Sequence, residues 1–248
     1  MINEGGEGDK IANVVELVTN ASLMDENKAS VVAQYLDSII ISVEGLSDAD
    51  YLNVCGYEGG YSKVLNNLSI LYENRGSCEI YVKIHNAVVP TDEKKKEFFS
   101  IFSNISTKIA IENLSDMFPA FESDYIKDAI NGKNDFRYSL DGSEYEKIKV
   151  HNVCPQIFKA IQILANGDCT PCCYDWERKN YIGNVNNENL FDIWHGDKIN
   201  RIRMLHLDGK KNTFKPCMDC KANDFCDVDF LDNNADEIKK RMIGKYND

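Results

Sequence analysis

Residues 154–175 read CPQIFKAIQILANGDCTPCCYD, and residues 215–226 read KPCMDCKANDFC. The two stretches hold seven of the chain's nine cysteines. The apolar run 157–164 reads as a strand, and Asn166-Gly167 is a hairpin turn signal. Residues 169–172 then read as the returning strand. A hairpin brings its last residue back towards the start of its first strand, so Cys172 is expected beside Cys154. Pro216 directs the turn Cys217-Met218-Asp219-Cys220, whose backbone amides can point at a metal-bound sulfur. Four thiolates drawn from distant positions call for a soft metal centre, either an iron–sulfur cluster or zinc. Cys154, Cys172, Cys217 and Cys220 are the expected ligands. Cys173 is a substitute for Cys172, although neighbouring strand residues face opposite sides. Cys226 is either a further ligand or an unused thiol. Cys55, Cys78 and Cys169 read as small apolar fillers.

Upstream, the pattern changes. Apolar runs at 14–18, 38–43, 79–89 and 108–111 read as strands. Helical segments lie between them, opened by Asp25, Ser47 and Thr91 and interrupted at Gly59-Gly60. Strand and helix alternating in this way imply a parallel sheet covered by helices, an α/β architecture. From 114 to about 150 the pattern weakens, which sets an expected boundary near 148 and domains at 1–148 and 149–248. Downstream, a long helix opens at Asn189, uses Ile199, Ile202, Met204 and Leu205 as apolar positions, and ends at Gly209. A charged helix at 236–242 follows. Thr19, Asn20, Ser42 and Glu44 fall at strand C-terminal ends, where α/β folds bind ligands. The competing reading of these four is that they cap loops.

The 248 residues carry a net charge of −12 with a pI of about 4.9, which argues against a nucleic-acid partner. Lys94-Lys95-Lys96 follows Asp92-Glu93 and reads as a solvated helix face. No apolar run approaches the roughly 18 residues of a membrane helix, and the N-terminus lacks the basic start and apolar stretch of a secretory signal. A cytoplasmic location is expected, with reduced thiols that favour metal ligation over disulfides. His85, His151, His195 and His206 read as surface or capping residues, with His151 the alternative ligand beside Cys154. Asp175 and Glu177 read as a solvated turn rather than an acid–base pair. Trp176 and Trp194 read as core or cover over the metal centre. No catalytic residue is assigned from the pattern.

The spacing from Cys154 to Cys226 resembles the SPASM domain, the C-terminal iron–sulfur extension of radical S-adenosylmethionine (SAM) enzymes. Pro171-Cys172-Cys173-Tyr174-Asp175, Ile182-Gly183-Asn184-Val185 and Leu190-Phe191-Asp192-Ile193-Trp194 are similar to that domain's usual text. The resemblance covers about residues 150–226. Thr19-Asn20-Ala21 resembles the loop after the third strand of the family's partial α/β barrel, and Ile41-Ser42-Val43-Glu44-Gly45 the end of its fourth. Phe230 stands where a full SPASM domain has another cysteine, so the pattern is closer to the shortened, single-cluster twitch form. The family's Cys-x3-Cys-x2-Cys loop is absent from the sequence, and the chain resembles a radical enzyme that begins near its third strand.

The resemblance implies an incomplete partial (β/α) barrel followed by a SPASM/twitch domain. It implies an auxiliary 4Fe–4S cluster that holds substrate or takes an electron. It places S-adenosylmethionine near Thr19, Asn20, Ser42 and Glu44, with reductive cleavage to a 5′-deoxyadenosyl radical only if the three-cysteine part is present. The implied substrate is a peptide or a sugar-type small molecule, and an electron-donor protein is a further implied partner. The alternative is a non-catalytic cluster- or zinc-binding module that binds a peptide or a partner protein.

Overall fold

Four strands, β1 (Glu16–Thr19), β2 (Ser38–Val43), β3 (Glu79–His85) and β4 (Lys108–Glu112), pair in parallel in the order β1-β2-β3-β4. They belong to the first of two units, Met1–Leu114 and Ser115–Asp248. The computed structural model describes residues 12–112, 152–175, 177–218, 220 and 230–244. The boundary expected near 148 lies outside the described residues.

Helices α1 (Glu26–Tyr35), α2 (Asp48–Cys55), α3 (Gly60–Asn74) and α4 (Asp92–Phe102) connect the strands. Their starts are written in the sequence: the side chains of Asp25, Ser47 and Thr91 accept from the backbone N–H groups of Lys28, Asp50 and Lys94. Each such cap satisfies a donor that the first helical turn leaves orphaned. Alternation along the strands then decides the core. Ile39, Ile41 and Val43 of β2 and Ile80, Val82 and Ile84 of β3 are buried against Ala29 and Ala33 of α1, Leu68 and Leu71 of α3, and Phe98 and Phe102 of α4. Burying each large apolar side chain contributes about 1.5–3 kcal/mol.

The described helices of this unit pack on that one face. On the other, Ile40, Ser42, Tyr81, Lys83 and His85 are half-buried, and Val18 is 62% exposed. Parallel sheets are ordinarily covered on both faces. Ser42, Lys83 and His85 make the C-terminal half of this second face polar, unsuited to a second helix layer.

Two strands of this unit differ from expectation: β1 begins at Glu16 rather than at 14 and runs to Thr19. β3 stops at His85 rather than continuing to Val89. Val88 and Val89 donate to the carbonyls of His85 and Asn86 at 3.2 Å each, forming turns ahead of Pro90. Val89 is fully buried, so its apolar character serves a core plug in a turn.

The second unit is smaller in regular structure. A helical turn α5 (Gln156–Lys159) precedes a three-stranded antiparallel sheet of β5 (Gln162–Ile163), β6 (Asp168–Thr170) and β7 (Gly183–Asn184). Helices α6 (Leu190–His195), α7 (Asp197–Leu207), α8 (Lys215–Met218) and α9 (Ala235–Gly244) follow. The expected strand over 157–164 is therefore half helical turn: Pro155 is pre-set at its N-cap position, with φ −68 and ψ −25. The expected long helix is broken at Gly196, where an added Cβ would meet the Asp192 carbonyl oxygen at 2.9 Å. Gly167 turns the hairpin with φ +85, a region that favours glycine. Ile157, Cys169, Ile182, Ile193, Ile199 and Ile202 form the core. Among the described residues no helix is long and apolar enough to cross a membrane.

Candidate metal centre

Cys154 sits in a loop that three side chains hold in place. The Asp232 carboxylate accepts from the backbone N–H of Asn152 at 2.8 Å and of Val153 at 3.4 Å. Nδ1 of His206 accepts from the N–H of Cys154 itself at 3.1 Å. Arg203 donates through Nε to the carbonyl of Ile157 at 3.0 Å and through Nη1 to that of Trp194 at 2.9 Å. Arg203 and His206 are three residues apart on α7, on the same face as the buried Ile199 and Ile202. A single helix thus carries both the packing and the polar grip on the cysteine loop.

Cys172 follows the hairpin's return. Its sulfur accepts from the Tyr174 N–H at 3.3 Å, and its carbonyl accepts from the Thr170 hydroxyl at 3.3 Å. Cys217 lies on α8, its N–H donating to the carbonyl of Phe214 at 2.9 Å, and the N–H of Cys220 turns back to the carbonyl of Cys217 at 3.5 Å. Cys154, Cys172, Cys217 and Cys220 line one open pocket, together with His206 and Lys211. The four expected ligands, from three separated segments, therefore share a single cavity. Cys173 is exposed and does not line it. Cys226, His151 and Trp176 lie outside the described residues.

The electrostatics of the pocket oppose free thiolates. Burial pushes the Cys154 thiol up, and the neighbouring Cys220 adds to the shift. Burial raises Cys217 to about 12, with Cys154 and Cys220 contributing. Cys172 is raised by donating to Cys173 and by burial, while Cys173 is lowered by accepting that hydrogen bond. Lys211 counteracts the rise at Cys154 and Cys217. Buried thiols of this kind hold their protons until a cation replaces them, so metal uptake releases protons. The donor set is soft and suits iron–sulfur or zinc chemistry. Among the described residues, no group of three His, Cys, Asp or Glu side chains stands close enough for one metal ion.

Other expectations meet the structure in different ways. Cys78 and Cys169 are buried fillers, but Cys55 is exposed, its thiol donating to the Tyr51 carbonyl at 3.1 Å. Asp175 accepts from the backbone N–H groups of Lys179 and Asn180, and Glu177 pairs with Lys179, which makes a turn. Trp194 is partly buried, with the Arg203 guanidinium 4.1 Å from its ring centroid. Thr19 Oγ1 accepts from the Ala21 N–H at 3.1 Å, and Asn20 Oδ1 accepts from Ser22, so both cap the loop after β1. Glu44 is half-buried, its pKa raised by burial, and lies 3.8 Å from His85 Nε2. His195 is a capping residue, bonded to the Phe191 carbonyl.

His206 departs from its expected surface role: it is fully buried. Burial, with Lys211 adding to it, lowers its pKa to about 4. The signal for this was its place at +4 from Ile202 on an amphipathic helix.

Comparison with known proteins agrees with the geometry. Residues 154–221 match SPASM, an iron–sulfur cluster-binding domain. The S-adenosyl-L-methionine-dependent 2-deoxy-scyllo-inosamine dehydrogenase of Niallia circulans is 32% identical over 74 residues, which are 30% of this chain and 29% of that enzyme. The chain thus spans under a third of that relative's length. Among solved structures, native anSMEcpe with bound AdoMet superposes with a TM-score of 0.53 at 15% identity, over 94% of this chain and 75% of that one. Native anSMEcpe with bound AdoMet and the Cp18Cys peptide gives a TM-score of 0.52 at 15% identity, with the same coverage. At such identity the likeness is one of fold. In fold the chain is similar to anSMEcpe, a parallel α/β layer followed by a region, residues 154–221, that matches the iron–sulfur cluster-binding SPASM domain.

Proposed function

We propose that Cys154, Cys172, Cys217 and Cys220 hold one auxiliary 4Fe–4S cluster, serving a radical SAM enzyme that modifies a peptide or a small molecule. The observation that carries this reading is the shared pocket of four thiols within the SPASM match. The match of residues 154–221 to SPASM, an iron–sulfur cluster-binding domain, favours a cluster over zinc.

When bound, such a cluster supplies a one-electron redox centre. The chain's own residues do the rest. Asp232 and His206 fix the Cys154 loop, Lys211 offsets thiolate charge, and Ile157 and Ile202 give the pocket an apolar wall. A peptide substrate is supported by anSMEcpe, which has this fold and was solved with a peptide. A small polyol-type substrate is supported by the inosamine dehydrogenase.

Thr19, Asn20, Ser42 and Glu44 are proposed S-adenosylmethionine contacts, at the strand ends where α/β sheets take ligands. Cleavage of that cofactor is proposed to need a Cys-x3-Cys-x2-Cys loop, a motif these 248 residues do not contain. The functional boundary is proposed near 148, ahead of the cysteine region. The test is anaerobic reconstitution followed by iron and sulfide analysis, then addition of S-adenosylmethionine and dithionite. A brown protein with equal iron and sulfide and no 5′-deoxyadenosine is expected. A colourless zinc protein, or 5′-deoxyadenosine in stoichiometric yield, contradicts the reading.

A further inference from the structure

His206 is fully buried, yet one of its ring nitrogens has no partner among the described residues. Nδ1 accepts from the Cys154 N–H at 3.1 Å, so it carries no proton, and the proton of the neutral ring resides on Nε2. Nε2 finds no hydrogen-bond acceptor among the described residues. An imidazole N–H without a partner in a protein interior is costly and wants an explanation. His206 lines the same pocket as Cys154, Cys172, Cys217 and Cys220. The acceptor such a pocket gains on loading is sulfur that bears negative charge.

We propose that His206 is a positioning residue of this centre: Nδ1 fixes the main chain of Cys154, and Nε2–H is a hydrogen-bond donor held for an anionic sulfur of the iron–sulfur cluster seated in the pocket, raising its reduction potential. Reduction adds negative charge to the cluster, and a donor to its sulfurs stabilises that state more than the oxidised one. Rigid anchoring on α7 keeps the donor in place through both states, since Ile199 and Ile202 pack the same helix face. This inference rests on the cluster reading above.

Two measurements on the full 248-residue chain, reconstituted anaerobically with iron and sulfide, test it. In wild type labelled with 15N-histidine and reduced with dithionite, pulsed EPR is expected to show one weakly coupled histidine nitrogen. The midpoint potential is then compared with those of His206→Asn and His206→Gln. Asparagine offers an oxygen near the Nδ1 position, keeping the acceptor for Cys154 and removing the Nε2 donor. Glutamine places an amide N–H near the Nε2 position. The potential is expected to fall in His206→Asn at unchanged iron content and to return towards wild type in His206→Gln.

A reduced wild-type cluster without 15N coupling overturns the inference, as does strong coupling, which would make His206 an iron ligand. An unchanged potential in His206→Asn at full iron content overturns it too. Should the variants fail to take up iron, the wild-type spectrum decides alone. A wild-type chain that takes up no cluster overturns the underlying reading instead.

Discussion

Replacing Arg203 with leucine tests how the cysteine loop is held. Arg203 is 6% exposed. It donates to the carbonyl of Ile157 at 3.0 Å, that of Trp194 at 2.9 Å and Asn200 Oδ1 at 3.1 Å. Its guanidinium also stacks 4.1 Å from the Trp194 ring centroid. Leucine keeps much of the apolar stem but leaves two carbonyls without this donor, at about 1–3 kcal/mol each. Losing the cation–π contact adds about 1 kcal/mol. Relief from holding a charge in the interior offsets part of the sum. A net loss of about 3 kcal/mol is expected, a large share of a typical domain's stability. Both tryptophans, Trp176 and Trp194, belong to the unit Ser115–Asp248, so tryptophan fluorescence during urea unfolding reports that unit alone. With an m-value of about 1.5 kcal/mol/M, the midpoint should fall by about 2 M. A shift below about 0.5 M would refute the clasp, and with it the claim that α7 positions the Cys154 loop.

Gly167→Ala should cost the second unit about 2 kcal/mol, since φ is +85 and the new Cβ would come within 2.2 Å of Asn186 Nδ2; the same unfolding assay checks it, and an unchanged midpoint contradicts it. In the first unit, burial holds the His85 pKa below its usual 6.5 even with the Glu44 carboxylate 3.8 Å away. The unfolded chain therefore binds that proton more readily, and this contribution to stability is present above pH 6.5 and lost as pH falls from 6.5 towards the lowered value. An NMR titration of the His85 ring should give a midpoint below 6.5, and one at or above it would remove the argument.

Much of the first unit was legible in the sequence because local and tertiary signals agree there. Asp25, Ser47 and Thr91 cap the helices that their positions announce. Ile39, Ile41 and Val43 alternate as a strand with one face on the core requires. Val88-Val89 misled because an apolar pair buried in a turn looks, in sequence, like a strand continuing. The second unit was harder. Its strands are two or three residues long, too short for a period to show, and Ile157 to Leu164 satisfies helix and strand alike. The four pocket cysteines were found because thiols are chemically conspicuous. His206 was missed because a histidine's burial depends on the face of α7 it occupies, here the face of Ile199 and Ile202.

The central claim is that four particular thiols hold an iron–sulfur cluster. Its most direct test is iron and sulfide content, with the EPR spectrum of the reduced protein, for wild type and for Cys217→Ala/Cys220→Ala, with Cys169→Ala as control. A reducible cluster is expected in wild type and in Cys169→Ala, since Cys169 is buried in the core away from the pocket lining. Loss of most iron is expected in the double variant, because α8 and the turn after it supply half of the ligand set. Full iron and sulfide with an unaltered EPR spectrum in the double variant would contradict the claim.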